Sequence, residues 1–319
     1  MKQLLRNKWF LLFILAITWG SSFILIKKSL VAFSPYEIGA IRVVGSGLML
    51  AVVGIPALLK MSKKTLLWVT IAGFFGNFLP MFLFPIAQTQ VSSSLAGILD
   101  ALVPMFVLGF GFLLFGIKSR LSQVIGAIIG FLGAASLIYF SEGNTETSQF
   151  WYAMLIVLAG AAYGVNAVVI KEKIPNVNAL QLTAAVYTIW AIPSMVILYA
   201  TGFVQNFETT PATMEAIKYL AFLTTIGTSI AMLLYYYLIQ KTTAVFASTV
   251  SYLLPLVAIV WGIFDGEEFT VWFAVGGALI LLGIYLSREQ TQRPSLNKDY
   301  FNFGASCEVT LSRKRKHFQ

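Results

Sequence analysis

Apolar residues run through this chain in ten stretches separated by short polar breaks, each near the roughly 20 residues a helix needs to cross a bilayer core about 30 Å thick. The predicted spans are 9–27, 37–58, 66–88, 93–115, 121–140, 151–170, 178–201, 216–239, 245–264 and 270–286. The polar and small residues inside them recur. Trp19-Gly20-Ser21-Ser22 followed by Ile26-Lys27 is answered by Tyr163-Gly164-Val165-Asn166 and Ile170-Lys171, at an offset of 144. Gly76, Ala96, Leu102-x-Pro104 and Gly111 match Gly227, Ala247, Leu253-x-Pro255 and Gly262 at 151; Gly126, Leu132 and Gly133 match Gly276, Leu282 and Gly283 at 150. A nearly constant offset over the whole block indicates duplication, with one five-helix repeat in residues 1–140 and a second in 151–286. Five is odd, so the second copy enters the membrane from the opposite side. Inverted repeats that rock about a site between them are the architecture of secondary transporters.

Composition fits this reading. With 58% hydrophobic residues, 11% charged residues and a mean hydropathy of +0.81, the chain falls far from soluble domains, in which about 25% of residues are charged. The expected fold is an all-α polytopic membrane protein of ten transmembrane helices.

Charge supplies the orientation. Lys2, Arg6 and Lys8, the alternate loops with Lys60, Lys63, Lys64, Lys118, Arg120, Lys171, Lys173 and Lys241, and the tail with its Arg313-Lys314-Arg315-Lys316 run all fall on one side. Lys27 and Lys28 fall on the other, with Glu142, Glu146, Glu208, Asp265, Glu267 and Glu268. Cytoplasmic loops carry the excess of Lys and Arg, so both termini are expected in the cytoplasm. The net charge of +9 then reflects topology, and no soluble basic domain supports a nucleic-acid partner. The first stretch lacks a small-residue cleavage site and is expected to be a retained helix. Residues 287–319 read as a basic, disordered cytoplasmic tail, with contact to anionic lipid headgroups as the alternative. The lone Cys307 excludes an intramolecular disulfide, and the lone His317 sits too far along the tail to relay protons through the membrane.

Residues that cost free energy in hydrocarbon point to the site. Counting inward from the helix entrances puts Trp19, Ser21 and Ser22 near the midplane of helix 1 and their counterparts Tyr163 and Asn166 near that of helix 6. Asn77 and its counterpart Thr228 reach the same depth in helices 3 and 8. Small hydroxylated residues also let membrane helices approach closely, and an amide can serve as an interhelical bond. Arg42 and Asp100 are full charges at similar depth in helices 2 and 4. They are expected to face the bundle interior and to interact directly or through water, either as a structural ion pair or as an outer gate and substrate clamp. Arg42 would hold a carboxylate, and Asp100 would attract an ammonium group or carry a coupling proton. Glu37 competes with Asp100 as partner of Arg42. Pro80, Pro85, Pro104, Pro193 and Pro255 lie within spans and bend them. Tyr235-Tyr236-Tyr237 reads as packing or interface anchors, whereas Ser251 and Tyr252, close to Pro255, read as cavity residues.

Trp19-Gly20-Ser21-Ser22-Phe23 with Lys27, Thr243-Ala244 leading through Tyr252-Leu253-Leu254-Pro255-Leu256 to Gly266-Glu267, and Gly276-Gly277 with Gly283 resemble the EamA-type permeases of the drug/metabolite transporter superfamily. The resemblance covers about residues 9–286; the corresponding stretch of the first repeat, Gly116-Ile117-Lys118-Ser119-Arg120, lacks the Glu. It implies an inner-membrane carrier with helices 1–4 and 6–9 around a central cavity and helices 5 and 10 peripheral. Such permeases export amino acids, other metabolites or drugs, and some import. The expected function is secondary transport of a small organic solute, with export of an amino acid or related metabolite favoured. A drug-like substrate and a non-transporting channel or scaffold are the alternatives. The expected partners are a small-molecule substrate, the lipid bilayer and protons as a candidate coupling ion, with no cofactor. No Gly-x-x-x-x-Gly-Lys-Ser/Thr loop encodes a nucleotide motor. An enzyme is not expected, because no His lies in any span, no Gly-x-Ser-x-Gly context occurs, and Asp100 is the only Asp well inside the core.

Overall fold

Apolar side chains cover nearly every face of these segments, and in hydrocarbon a backbone must satisfy its own hydrogen bonds, so the outcome is helix throughout. The computed structural model describes residues 7–117, 121–140, 147–267 and 271–287, which hold no strand. Lys2, Arg6, Lys118, Arg120, Glu142, Glu146, Glu268 and the tail from Arg288, with Cys307 and His317, lie outside the described residues.

Among the described residues eight helices are long and apolar enough to cross a membrane: α1 (Lys8–Ser29), α2 (Pro35–Lys60), α3 (Lys63–Ala87), α4 (Ser93–Phe115), α6 (Phe150–Lys173, with a start at Thr147), α7 (Ala179–Ala200), α8 (Pro211–Lys241) and α9 (Ala244–Phe264). Two further apolar helices, α5 (Leu121–Phe140) and α10 (Val271–Ser287), pack against each other. Lys27 and Lys28, expected in a loop, form the last turn of α1, where cations favour the helix dipole.

The starts follow sequence chemistry and repeat with the halves. Ser34 and Asn178, 144 apart, cap α2 and α7; Ser92 and Thr243, 151 apart, cap α4 and α9. Ser34 completes a capping box with Glu37, whose carboxylate accepts from the Ser34 amide at 2.8 Å. That role removes Glu37 as a partner for Arg42. The irregularities also repeat. A π-helical turn interrupts α3 at Phe74–Phe78 and α8 at Leu223–Ile230, around the matched Gly76 and Gly227. Helix α4 breaks at Ala101 and Leu102, and α9 passes through a 3₁₀ turn at Thr249–Tyr252, each just before its matched proline. Proline lacks the N–H that would continue the preceding turn.

Contacts between the halves are reciprocal. A side chain at Gly20 would meet Val257 Cβ at 2.5 Å, and one at Gly164 would meet Phe106 Cβ at 2.6 Å; Phe106 and Val257 are themselves counterparts. Likewise Gly76 faces Asn166, and Gly227 faces Ser22, the counterpart of Asn166. Gly47 lies against Ala191 and Asp100 receives a hydrogen bond from Ser251, each residue meeting its own counterpart. Self-matched contacts mark a pseudo-two-fold axis, as in an isologous dimer.

Candidate functional site

The broken and π-bulged helices contribute to the lining of a cavity of about 50 Å³. Its walls are mainly apolar and aromatic, with Trp19, Phe23, Phe84, Tyr163 and Tyr235 around Met81, Val103 and Leu254. Its polar groups are Arg42, Asp100, Ser22 and Ser251. Fine packing holds the aromatic walls: Trp19 stands edge-on to Tyr235 with centroids 5.0 Å apart, and Trp19 Nε1 donates to the Gly227 carbonyl at 3.0 Å, inside the π turn of α8. Phe84 and Tyr163 stack at 6.1 Å.

Arg42 and Asp100, each 4% exposed, line the same cavity and do not pair. Among the described residues the ion pairs are Lys27 with Asp265, Lys27 with Glu267 and Lys28 with Asp265. Arg42 Nε instead donates to Thr228 Oγ1 at 3.1 Å, which leaves the rest of its five donors without a protein acceptor among the described residues. Asp100 Oδ2 accepts from Ser251 Oγ at 3.2 Å, and its buried Oδ1 has no partner among the described residues. Of the two expected forms of interaction, direct or through water, the direct one is therefore corrected. Similar depth placed both charges on one cavity, while the π turn brought the closer acceptor, Thr228, to the guanidinium.

A second polar cluster lies in the core beside this cavity. Asn77 Nδ2 and Asn166 Nδ2 both donate to Tyr236 Oη, the latter at 3.3 Å, and Asn166 Nδ2 also reaches the Ala72 carbonyl at 2.7 Å. Both amide oxygens and the Tyr187 hydroxyl are buried without partners among the described residues. Trp19, Ser22, Tyr163 and Ser251 are thus on the cavity, Thr228 holds one of its charges, and Asn77 and Asn166 belong to the adjoining cluster. Ser21 points elsewhere, accepting from Trp261 Nε1 at 2.8 Å, and Tyr252 is not among the cavity residues. Tyr235 and Tyr236 are buried packing residues, as expected, and each does more: Tyr235 is cavity wall and Tyr236 the hub of the amide cluster, while Tyr237 sits under Lys241 at 5.7 Å.

Beyond the cavity, α1, α4 and α9 are tied at one end by a carboxylate. Glu267 Oε1 accepts from Lys27 Nζ at 2.8 Å, Ser93 Oγ at 2.6 Å and Ser93 N at 3.0 Å; Oε2 accepts from Ser94 Oγ at 2.6 Å and Ser94 N at 3.0 Å. Burial alone would raise the carboxyl's pKa, yet these donors outweigh it and hold it down at about 2. Hydrogen bonds from Lys27 and Lys28 lower Asp265 as well.

Comparison with known proteins gives one consistent answer. The model of the EamA-like transporter family matches twice, over residues 7–139 and 150–288. An uncharacterized transporter of Archaeoglobus fulgidus is 26% identical over 88% of this chain and 98% of its own length. The uncharacterized inner membrane transporter YedA of Escherichia coli is 26% identical over 86% of this chain and 90% of its own. A probable terminal-alkyne amino-acid exporter of Streptantibioticus cattleyicolor is 22% identical over 86% and 91%. A solved crystal structure shares the fold at a TM-score of 0.58 and 19% identity, over 87% of this chain and 94% of that one.

Proposed function

The chain belongs to the EamA-like transporter family and is a multi-pass plasma-membrane protein, and from that premise we propose that it is a secondary carrier of a small zwitterion, an amino acid or close relative, moved outward by alternating access. One observation carries the reading: a guanidinium and a carboxylate line the same aromatic-walled cavity without neutralising each other. Buried charges need partners, and a solute bringing a carboxylate to Arg42 and an ammonium group to Asp100 would supply both. The amino-acid exporter among the relatives supports the same class.

In this reading α5 and α10 also cross the bilayer, giving ten spans as two inverted five-helix repeats with both termini in the cytoplasm. Sites 1–140 and 151–286 act as two rocking halves. Loading and release of solute would proceed by the two halves parting on alternate sides of this cavity. The breaks at Pro104 and Pro255 lie beside the cavity and are suited to bend as they do. Between solutes, a proton on Asp100 would relieve its buried charge, which makes proton coupling part of the proposal.

The test is counterflow into proteoliposomes preloaded with a mixed amino-acid pool. Saturable, protein-dependent accumulation of labelled amino acid supports the reading. Accumulation only of apolar aromatic compounds would favour the drug-like alternative that the walls of Trp19, Phe84, Tyr163 and Tyr235 also suit. No counterflow with either pool, in folded protein, would overturn a carrier role.

A further inference from the structure

The two ends of the cavity are built from matched parts with opposite chemistry. After α4 and after α9 the chain turns through a left-handed glycine, Gly116 at φ 66° and Gly266 at φ 76°. The next residue donates to the carbonyl of a matched glycine on both sides, Ile117 N to Gly111 at 3.1 Å and Glu267 N to Gly262 at 2.9 Å. Ile117 and Glu267 are therefore structural counterparts. Glu267 takes its donors from the start of α4, Ser93 and Ser94, and from Lys27 of α1. The counterparts of the two serines, at an offset of 151, are Ala244 and Val245 at the start of α9. The counterpart of Lys27 is Lys171, which donates to the Ile239 and Thr242 carbonyls at the end of α8. One end thus carries an acid, a base and two hydroxyls; the other carries isoleucine, alanine and valine, with its lysine turned to helix-end carbonyls.

We propose that Glu267, held by Lys27, Ser93 and Ser94, is a latch that keeps one mouth of the transport path shut at rest, so that the mouth at Ile117 is the one that opens to load solute. The inference rests on the carrier reading and goes beyond it by naming the gating residue and the resting side. The latch joins the cavity's own walls: Ile26 precedes Lys27, Asp100 lies in the helix that Ser93 begins, and Leu254 lies in the helix that Glu267 follows. Parting these helices exposes a carboxylate stripped of five donors. Parting their counterparts breaks the Lys171 hydrogen bonds to the Ile239 and Thr242 carbonyls and, among the described residues, no ion pair. With the charge-sorted topology, the Ile117 mouth faces the cytoplasm, as an exporter requires.

The test reads access, not transport. In full-length C307S protein in membrane vesicles of each orientation, S22C is labelled with a membrane-impermeant maleimide. The expected result is labelling at least about tenfold faster from the Ile117 side, with E267Q bringing the two sides to within about twofold and K27R keeping the bias. The converse variant, I117E with A244S and V245S, installs a latch at the other mouth and should slow labelling from that side. Equal rates from the two sides in the C307S/S22C protein overturn the proposal, as does a converse variant that folds and labels unchanged. Should E267Q not fold, the converse variant decides alone. Labelling needs no solute, so its failure is separable from a failure of counterflow.

Discussion

Asp100 and Glu267 are the same functional group in opposite circumstances. Glu267 has five hydrogen bonds shared between its two oxygens. Asp100, deep between the halves, has among the described residues one bond on one oxygen and none on the other. A carboxylate saturated by its own protein holds a shape, whereas one left short has capacity for something that arrives. The same contrast separates the cations, since Lys27 is spent on two carboxylates and Arg42 on one hydroxyl.

The strongest way to break this comparison is to neutralise each acid in turn. We expect D100N to lower counterflow by about a hundredfold, the scale of losing a buried charge partner. Its melting temperature should hold or rise, because an under-bonded buried charge is removed. E267Q should do the reverse in stability and melt earlier, as one carboxylate oxygen becomes an NH2 group that cannot accept from the donors it faces and the charge opposite Lys27 is lost. A D100N protein that melts earlier than E267Q would sink the distinction.

A smaller effect sharpens the role of Arg42. R42K keeps the charge but loses the planar fork that binds a carboxylate at two points, and should raise KM about tenfold with kcat less affected. An unchanged KM would remove Arg42 from substrate binding.

The next effect is on pH dependence. Because the folded-state pKa of Glu267 lies below the unfolded value, the unfolded chain binds the extra proton, and the latch's contribution is full above about pH 4.5. It is lost as pH falls toward about 2. Melting curves in detergent should therefore show no loss from Glu267 between pH 8 and 5, a range set by the same pKa values. Below that range the wild type should lose stability toward the level of E267Q. A gap between the two proteins that closes near neutrality would refute the assignment.

The smallest effect belongs to Ser21. S21A should leave counterflow unchanged and shift stability by no more than about 0.5 kcal/mol, because Ser21 meets Trp261 outside the cavity. Loss of counterflow would place the site elsewhere.

Depth was legible in the sequence, while direction around the helix was not. Counting along α1 put Trp19, Ser21 and Ser22 at one level, but successive residues are about 100° apart on a helix, so Ser22 faces the cavity and Ser21 faces α9. Arg42 and Asp100 were placed at one depth for the same reason, and which group each would touch depended on the π turn that presents Thr228, a feature without a sequence pattern. Tyr235 and Tyr236 were read only as packing or anchors because tyrosine near a membrane interface serves as an anchor as readily as it lines a cavity. The offsets fared better, since each matched residue must satisfy the same packing twice. Gly20 and Gly164 tolerate no side chain against Val257 and Phe106.

The meeting of Asp100 with Ser251 carries an evolutionary constraint. These residues are counterparts, and they touch because they sit where the two halves cross. Two separate identical subunits joined about that point would have to place the same residue on both sides, either two carboxylates repelling each other or two hydroxyls with no charge. A single acid there requires halves that can mutate separately. Joining them in one polypeptide is what makes an unbalanced charge available at the centre of the molecule, and with it a cavity that distinguishes one end of a solute from the other.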